Sequence, residues 1–393
     1  MATATSSAPA QAKMTPQQQN QLARQAVLSS SVDMYQPIQT TTFNPAQLNP
    51  LVIAPRNVGF IKKFLITVVA TIVNNDTVNA LALTDVGLAN FFSNVTFTDL
   101  NNNQRINCTG QFLSWLNSIK HRRPYASGYL VETDTMGGYG EVYGVLSAPA
   151  TIAASGTANI RAVFEIPVTY SDDDLRGGIY ANVINASMQL SLTVNQNAFT
   201  ATGVDSTFAM YKGTANAVIS TATVTVYQNY LDQLPRDSNG NVVLPNIDLS
   251  TVYELKTTSV NGIAANNDFG FQYPNFRDIL STLVIYDHDT TADSGRTAGT
   301  DINYWALQSA NFTNLWKKYP LDLSQDTRQI LNCDLAKGGY YMSSRRKPIS
   351  SIQYGNMELI LNAITATANA QLYVGLEMFN LPNTVVNAGS IQS

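Results

Sequence analysis

The sequence predicts an all-β protein made of two β sandwiches in tandem, and three observations carry that expectation. Apolar residues recur at every second position in one segment after another, as in half-buried antiparallel strands. Gly and Asn/Asp clusters separate those segments, and helical periodicity is confined to short pieces. Across residues 224–255 the alternation stops at two prolines flanking an Asn-Gly turn, then resumes. With 393 residues the chain is long enough for two or three domains of about 100–200 residues each.

Residues 1–32 stand apart. They are rich in Ala, Thr, Ser and Gln, contain no aromatic residue, and carry only Lys13 and Arg24 as charges. Thr15 as N-cap and Pro16 at the first helical position mark a helix start. A helix over 17–28 would align Leu22 with Ala26 and Ala23 with Val27 in a narrow apolar stripe. The competing expectation for this stretch is a disordered tail.

From Asn57 onward the period is two. Phe64, Ile66, Val68, Ala70 and Ile72 share one face of a long strand. Leu65, Val69 and Val73 make its other face partly apolar, which places the strand centrally in its sheet. Ile160, Ala162, Phe164 and Ile166 alternate in the same way, as do Met188, Leu190, Leu192 and Val194. Residues 171–175, Ser-Asp-Asp-Asp-Leu, resemble a short capping turn.

From residue 221 an alternating strand is expected: Ala222, Val224 and Val226 alternate with threonines and lead into Tyr227, Gln228 and Tyr230. Within 224–255 an ordered connection between two β domains is expected, through Leu231, Asp232, Gln233, Leu234 and Pro235, a turn at Asn239-Gly240, and Pro245. A proline cannot donate to a strand ladder, so one continuous sheet through this stretch is excluded. Ile247 opens the second half. There Arg277–Asp287 is a long apolar strand, and Met357, Leu359 and Leu361 alternate, as do Leu372, Val374, Leu376 and Met378. A short helical pattern is assigned to residues 302–312. The expected organisation is an N-terminal segment 1–32, a first sandwich 33–245 and a second 246–393.

Composition narrows the function. Charged residues are 13% of the chain, about half the usual share of roughly 25%. A surface poor in charge is cheaper to desolvate against a neighbour, which favours an assembly protein. The net charge of -4 and the lack of a basic stripe argue against sequence-specific nucleic-acid binding. Cys108 and Cys333 are isolated, so both are expected to stay reduced. The N-terminus has no apolar signal-like run, and the apolar stretch 64–73 is far shorter than the ~20 residues of a membrane span. A soluble product made in a cytoplasm is expected.

The inventory for catalysis is thin. His288 lies between Asp287 and Asp289, and His121 beside Arg122-Arg123, with no His or Cys pair at metal-ligand spacing. Asp237, Asn239 and Asn241 have the oxygen spacing of a calcium loop but lack its downstream Glu, so an Asn-Gly turn is the expectation. Asp172–Asp174 are adjacent, unlike a glycosidase pair. Gly137-Gly-Tyr-Gly140 follows no apolar strand and so is no phosphate loop. The basic clusters Lys62-Lys63, Lys317-Lys318 and Arg345-Arg-Lys347 are solubilising loop charge or partners of acidic or phosphate groups elsewhere. No enzyme activity, metal or cofactor is expected.

A set of runs identifies a family. They are Thr225-Val-Tyr-Gln228, Tyr230-Leu-Asp-Gln-Leu-Pro235, Leu244-Pro245 and Ile247-Asp-Leu-Ser-Thr251. With them stand Asn57-Val-Gly59, Ala82-Leu-Thr-Asp85, Ala148-Pro-Ala-Thr-Ile-Ala-Ala154, Ala298-Gly-Thr-Asp-Ile-Asn-Tyr304, Gln353-Tyr-Gly-Asn356 and Val386-Asn-Ala-Gly-Ser-Ile391. In this order, over nearly the whole chain, they resemble the major capsid protein of tectiviruses, icosahedral bacteriophages with a membrane inside the shell. No run is a chemical motif by itself; the order carries the resemblance. The loops and the first ~15 residues depart from it.

The resemblance implies two eight-stranded jelly rolls in tandem (a double jelly roll) with short helices and an N-terminal helical segment. It implies a homotrimer of near-hexagonal outline that tiles an icosahedral shell around an internal membrane and DNA genome. The N-terminal segment would face that membrane, with Lys13, Thr15, Pro16, Leu22, Arg24 and Val27 as the candidate residues. Minor capsid and vertex proteins would be further partners, and the virion the final location. The competing readings are a trimeric β-rich receptor- or carbohydrate-binding spike and a two-domain β hydrolase. The scattered Trp115, Trp305 and Trp316, and the missing carboxylate pair, count against these.

Overall fold

The computed structural model describes residues 14–45, 49–120, 148–183, 186–293, 296, 299–331, 335 and 338–380. Among the described residues, thirteen strands precede the crossing: β1 (Val32–Phe43), β2 (Leu51–Ile53), β3 (Phe60–Asn74), β4 (Leu81–Leu83), β5 (Phe92–Thr98), β6 (Gln104–Cys108), β7 (Thr151–Ile152), β8 (Thr157–Pro167), β9 (Ile179–Tyr180), β10 (Gln189–Val194), β11 (Phe199–Ala201), β12 (Tyr211–Gly213) and β13 (Ala217–Asp232). Nine follow it: β14 (Val252–Asn261), β15 (Asp268–Gln272), β16 (Arg277–Asp287), β17 (Ile302–Ser309), β18 (Phe312–Lys318), β19 (Gly339–Ser343), β20 (Ile349–Ser350), β21 (Met357–Ala363) and β22 (Gln371–Asn380). The helices used below are α1 (Pro16–Ser30), α2 (Gly110–Lys120), α3 (Asn246–Ser250) and α4 (Pro320–Leu331).

The first roll stacks the sheet β1-β13-β3-β8 on the strands β6-β5-β10-β2. β3 is central, antiparallel to both β13 and β8, as its two apolar faces require. Phe64, Ile66 and Val68 point into the core, where the Phe64 and Phe97 rings lie 5.1 Å apart and those of Phe92 and Phe164 5.0 Å apart. The small sheet β11-β12-β4-β7 is not hydrogen-bonded to either layer, and its Leu81, Ile152 and Tyr211 join the same core. The second roll repeats the plan, with β19-β16-β22-β14 against β15-β21-β17-β18 and Trp305, Leu359, Leu361, Leu372 and Met378 among its core. Each roll thus has eight main strands, and the fold is a double jelly roll.

The two rolls are joined by more than a linker. β14 pairs in parallel with β6, Leu255 opposite Ile106 and Lys256 opposite Asn107, so one nine-stranded sheet runs through both rolls. The second roll's half of that sheet is buried on both faces. Val284, Tyr286 and Leu376 turn to its own core, whereas Leu280, Leu283, Ile285 and Phe379 join the core of the first roll. This is why Arg277–Asp287 reads as an unbroken apolar run rather than an alternating one. α2 fills the angle between the rolls. Its Phe112 ring lies where a Cβ on Gly375 of β22 would come within 2.2 Å of it, so only glycine fits there.

Two expectations are corrected. Residues 302–312 are not helical: they form β17 and the turn into β18, with Trp305, Ala306 and Leu307 buried. The register slips between Ile302 and Tyr304, and that slip breaks the strict alternation and mimics helical spacing. The helix of this region is α4, further along. At the crossing, Leu231 and Asp232 belong to β13, where they pair with Asp33 and Val32 of β1. The connection proper is residues 233–245.

That connection is ordered by its own hydrogen bonds. The Asp237 carboxylate accepts from Asn239 N at 2.9 Å, Asn241 N at 2.8 Å and Asn241 Nδ2 at 3.2 Å. Arg236 bridges to Val242, Val243 N donates to Pro235 O at 2.8 Å, and Gly240 takes the left-handed φ of 81° that the turn needs. The amide donors leave the carboxylate serving a turn rather than a calcium ion, and they hold its pKa below the usual range.

Candidate functional site

Among the described residues, the densest polar geometry lies in what fixes the two rolls to one another. The centre of the seam between the rolls is a buried carboxylate, Glu377 of β22, which is 0% exposed. Leu372, Val374, Leu376 and Met378 face the second core, so strand alternation turns Glu377 to the opposite face, toward the first roll. It accepts from Tyr253 Oη at 2.6 Å, Ser281 Oγ at 2.7 Å, and Arg345 Nε and Nη2 at 2.9 and 3.0 Å. Lys120, the last residue of α2, reaches in from the first roll. Its Nζ lies 3.7 Å from the carboxylate, donates to Tyr170 O at 3.0 Å, and sits 4.6 Å from the centre of the Tyr253 ring.

This cluster sets its own charges. Burial alone would raise the pKa of Glu377, but Arg345, Lys120 and the two hydroxyls outweigh it and hold the carboxyl below its ordinary value. Burial pushes Lys120 down to about 8, with Glu377 offsetting only part of that cost. Beside it, Arg176 pairs with Asp174 and covers the Phe379 ring at 4.5 Å.

The N-terminal helix is tied to the start of the second half. A capping box opens it: Gln18 N donates to Thr15 Oγ1 at 3.3 Å, and Thr15 N to Gln18 Oε1 at 2.9 Å. The helix ends at Ser30, two residues past the expected Leu28. Arg24 grips the buried Asp248 of α3 through Nε at 2.9 Å and Nη2 at 2.6 Å. Ile247 N donates to Asn20 Oδ1 at 3.1 Å. Val27, 0% exposed, closes a small core with Phe60, Leu175 and Leu231, against which Leu234, Leu244 and Leu249 pack. Of the candidate membrane-facing residues, Arg24 and Val27 therefore turn to the chain's own fold. Thr15, Pro16 and Leu22 remain exposed, Leu22 at 49%, and Lys13 lies outside the described residues.

The remaining candidates have local partners. His288 Nδ1 lies 3.0 Å from Asp301 Oδ2, and among the described residues no group of three or more His, Cys, Asp or Glu could hold a metal. Lys62 pairs with Asp33, and Lys63 with Glu165 and Asp172. Gln228 accepts from Arg56 N and donates to Arg56 O, both at 2.9 Å, and Tyr227 stacks on Tyr35 at 5.8 Å. Cys108 is buried, which pushes its thiol pKa up; Cys333, His121 and the 137–140 run lie outside the described residues.

Comparison with known proteins settles the family. Residues 2–234 match the P3 major capsid protein N-terminal model, and residues 250–393 the P3 major capsid protein C-terminal model. The major capsid protein P3 of Enterobacteria phage PRD1 is 39% identical over 378 residues, 95% of this chain and 94% of that protein. The chain belongs to the P3 major capsid protein family. Among solved structures, the atomic structure of Sulfolobus turreted icosahedral virus matches with a TM-score of 0.65 at 13% identity, covering 91% of this chain and 93% of that one. The PBCV-1 virus capsid matches with a TM-score of 0.52 at 11% identity, covering 89% and 94%. Those likenesses at low identity carry the fold, and the P3 relative carries the role. As a P3 family member the chain is a structural protein of the virion shell, not an enzyme, and it works by self-association. The spike and hydrolase readings fall to this match.

The sequence held a signal for the seam that composition alone does not use. Glu377 is a lone carboxylate in an otherwise apolar strand, and α2 shows apolar residues at 112, 113, 115, 116 and 119 behind Thr109, whose Oγ1 accepts from Phe112 N at 3.2 Å. What neither pattern carries is the partner.

Proposed function

We propose that three copies of this P3-type chain form a trimer of six jelly rolls with a near-hexagonal outline, and that such trimers tile an icosahedral shell over an internal membrane enclosing a DNA genome. The observation that carries this reading is the continuous sheet through β6 and β14. It makes two similar sandwiches, here taken as 33–245 and 246–393, one rigid body, so three chains bring six rolls. Exposed apolar side chains on the second roll, among them Phe276, Tyr319 and Leu321, suit contacts of this kind, and an obligate interface of that class buries on the order of 2,000–5,000 Å². Light scattering of the purified protein should give a mass of three chains of 42.7 kDa, about 128 kDa; a monomer at all concentrations sinks the reading.

The N-terminal segment supplies the membrane side in this proposal. Thr15, Pro16 and Leu22 are exposed and, with Lys13 before them, are assigned to the membrane side, while Arg24 and Val27 hold the helix in place. Minor capsid and vertex proteins complete the shell at positions the trimers leave. Removing residues 1–13 should keep the trimer mass and lower co-sedimentation with anionic lipid vesicles several-fold. Equal binding by the shortened and full chains would end the membrane-facing assignment.

A further inference from the structure

A cavity of about 890 Å³ opens beneath α4, between that helix, the end of α2 and the strands β16 and β19. Its floor is apolar and buried: Ile279, Leu307, Leu323, Met342 and Met357 line it. Its rim is basic. Lys120, Lys318, Arg345, Arg346 and Lys347 line the cavity against one acidic side chain, Asp326. Three of those cations are engaged: Lys318 with Asp326, and Lys120 and Arg345 with Glu377. Arg346 and Lys347 are exposed on a turn closed by Lys347 N donating to Ser344 O, and they form no ion pair among the described residues. Tyr341 also lines the cavity, but its ring joins the core of the first roll and its hydroxyl lies by the Ser281 and Ser343 hydroxyls, on the Glu377 side of the sheet. Exposed cations with no ion pair above an apolar floor suit a ligand that brings both an anion and an apolar body.

We propose that this cavity binds a single-chain anionic amphiphile, with its head group on Arg346 and Lys347 and its alkyl chain over the Leu307–Leu323–Met357 floor. A small inorganic anion would meet the rim and leave that floor to water. An acidic peptide would bury backbone N–H and C=O groups against the apolar floor, where the Thr282 hydroxyl is already bonded to Tyr273 Oη at 2.8 Å, and would find polar partners in Gln329, Ser343 and Ser344 rather than in the floor. An alkyl chain brings no polar group to satisfy, and the volume is that of a site for a ligand of this size.

The test is a titration of the intact protein with dodecanoate below its micelle concentration, followed by calorimetry or native mass spectrometry. One dodecanoate should bind per chain. Decanoate, two methylenes shorter, should bind about tenfold more weakly. The R346A/K347A double variant, on an exposed turn, should keep its melting temperature and lose about tenfold in affinity. The proposal is overturned if dodecanoate does not bind, if dodecanol binds as well, or if the double variant binds like the parent. Tighter binding of inorganic phosphate or of a poly-glutamate peptide than of dodecanoate overturns it in favour of those ligands.

Discussion

Replacing Glu377 with Gln should lower the unfolding free energy by about 3–5 kcal/mol, the cost typical of removing one partner from a buried ion pair. The substitution keeps shape and leaves Arg345 and Lys120 buried without the charge that compensates them. Because Lys120 comes from α2 and Arg345 from the second roll, the loss falls on the seam. Denaturant unfolding at fixed protein concentration reads the change, and a loss below about 1 kcal/mol would show that the cluster contributes little to joining the rolls. The pH dependence has a definite sign. Glu377 is held below its ordinary value, so its stabilisation is full above the usual carboxylate range and is lost as pH falls through its folded value. Lys120 is depressed from 10.5 to about 8, so between those values the unfolded chain binds a proton that the folded chain does not. Stability from this group therefore rises with pH over that window. In the Gln variant Lys120 loses its attracting carboxylate, and the rise should begin at a lower pH.

Arg24→Ala should release the N-terminal helix from the body of the protein at a cost of about 1.5–3 kcal/mol, the range for a hydrogen bond to a charged group. Asp248 is then left buried with its side chain 1% exposed and its bidentate partner gone. Hydrogen exchange should show faster exchange across 16–30 and little change in β3 or β22. Asp248→Asn in the same background should restore part of the loss, because it removes the uncompensated charge. Unchanged protection of α1 in Arg24→Ala would mean that Val27 and its apolar neighbours alone hold the helix.

What could be read from the sequence follows a physical line. Strands whose pattern comes from one local cause were legible: Arg277–Asp287 matches β16 end to end, and the alternation at 64–72 sits within β3. The cap at Thr15 was legible because a capping box is a contact three residues apart. Residues 302–312 were misread because a register slip disguises a strand. The pairing of β6 with β14 had no local signal, since Ile106 and Leu255 meet only through the folded chain. The helical stripe holding Val27 was visible, whereas its burial against Phe60 and Leu231 was a tertiary fact.

The central claim is that each chain brings two rolls locked side by side into a three-chain capsomer. Cryo-electron microscopy of purified particles, at a resolution that separates strands, tests it most directly. Capsomers of three chains and six rolls are expected, with β6 of each chain paired to β14 of the same chain. Capsomers of six chains, or rolls parted along that seam, would contradict it.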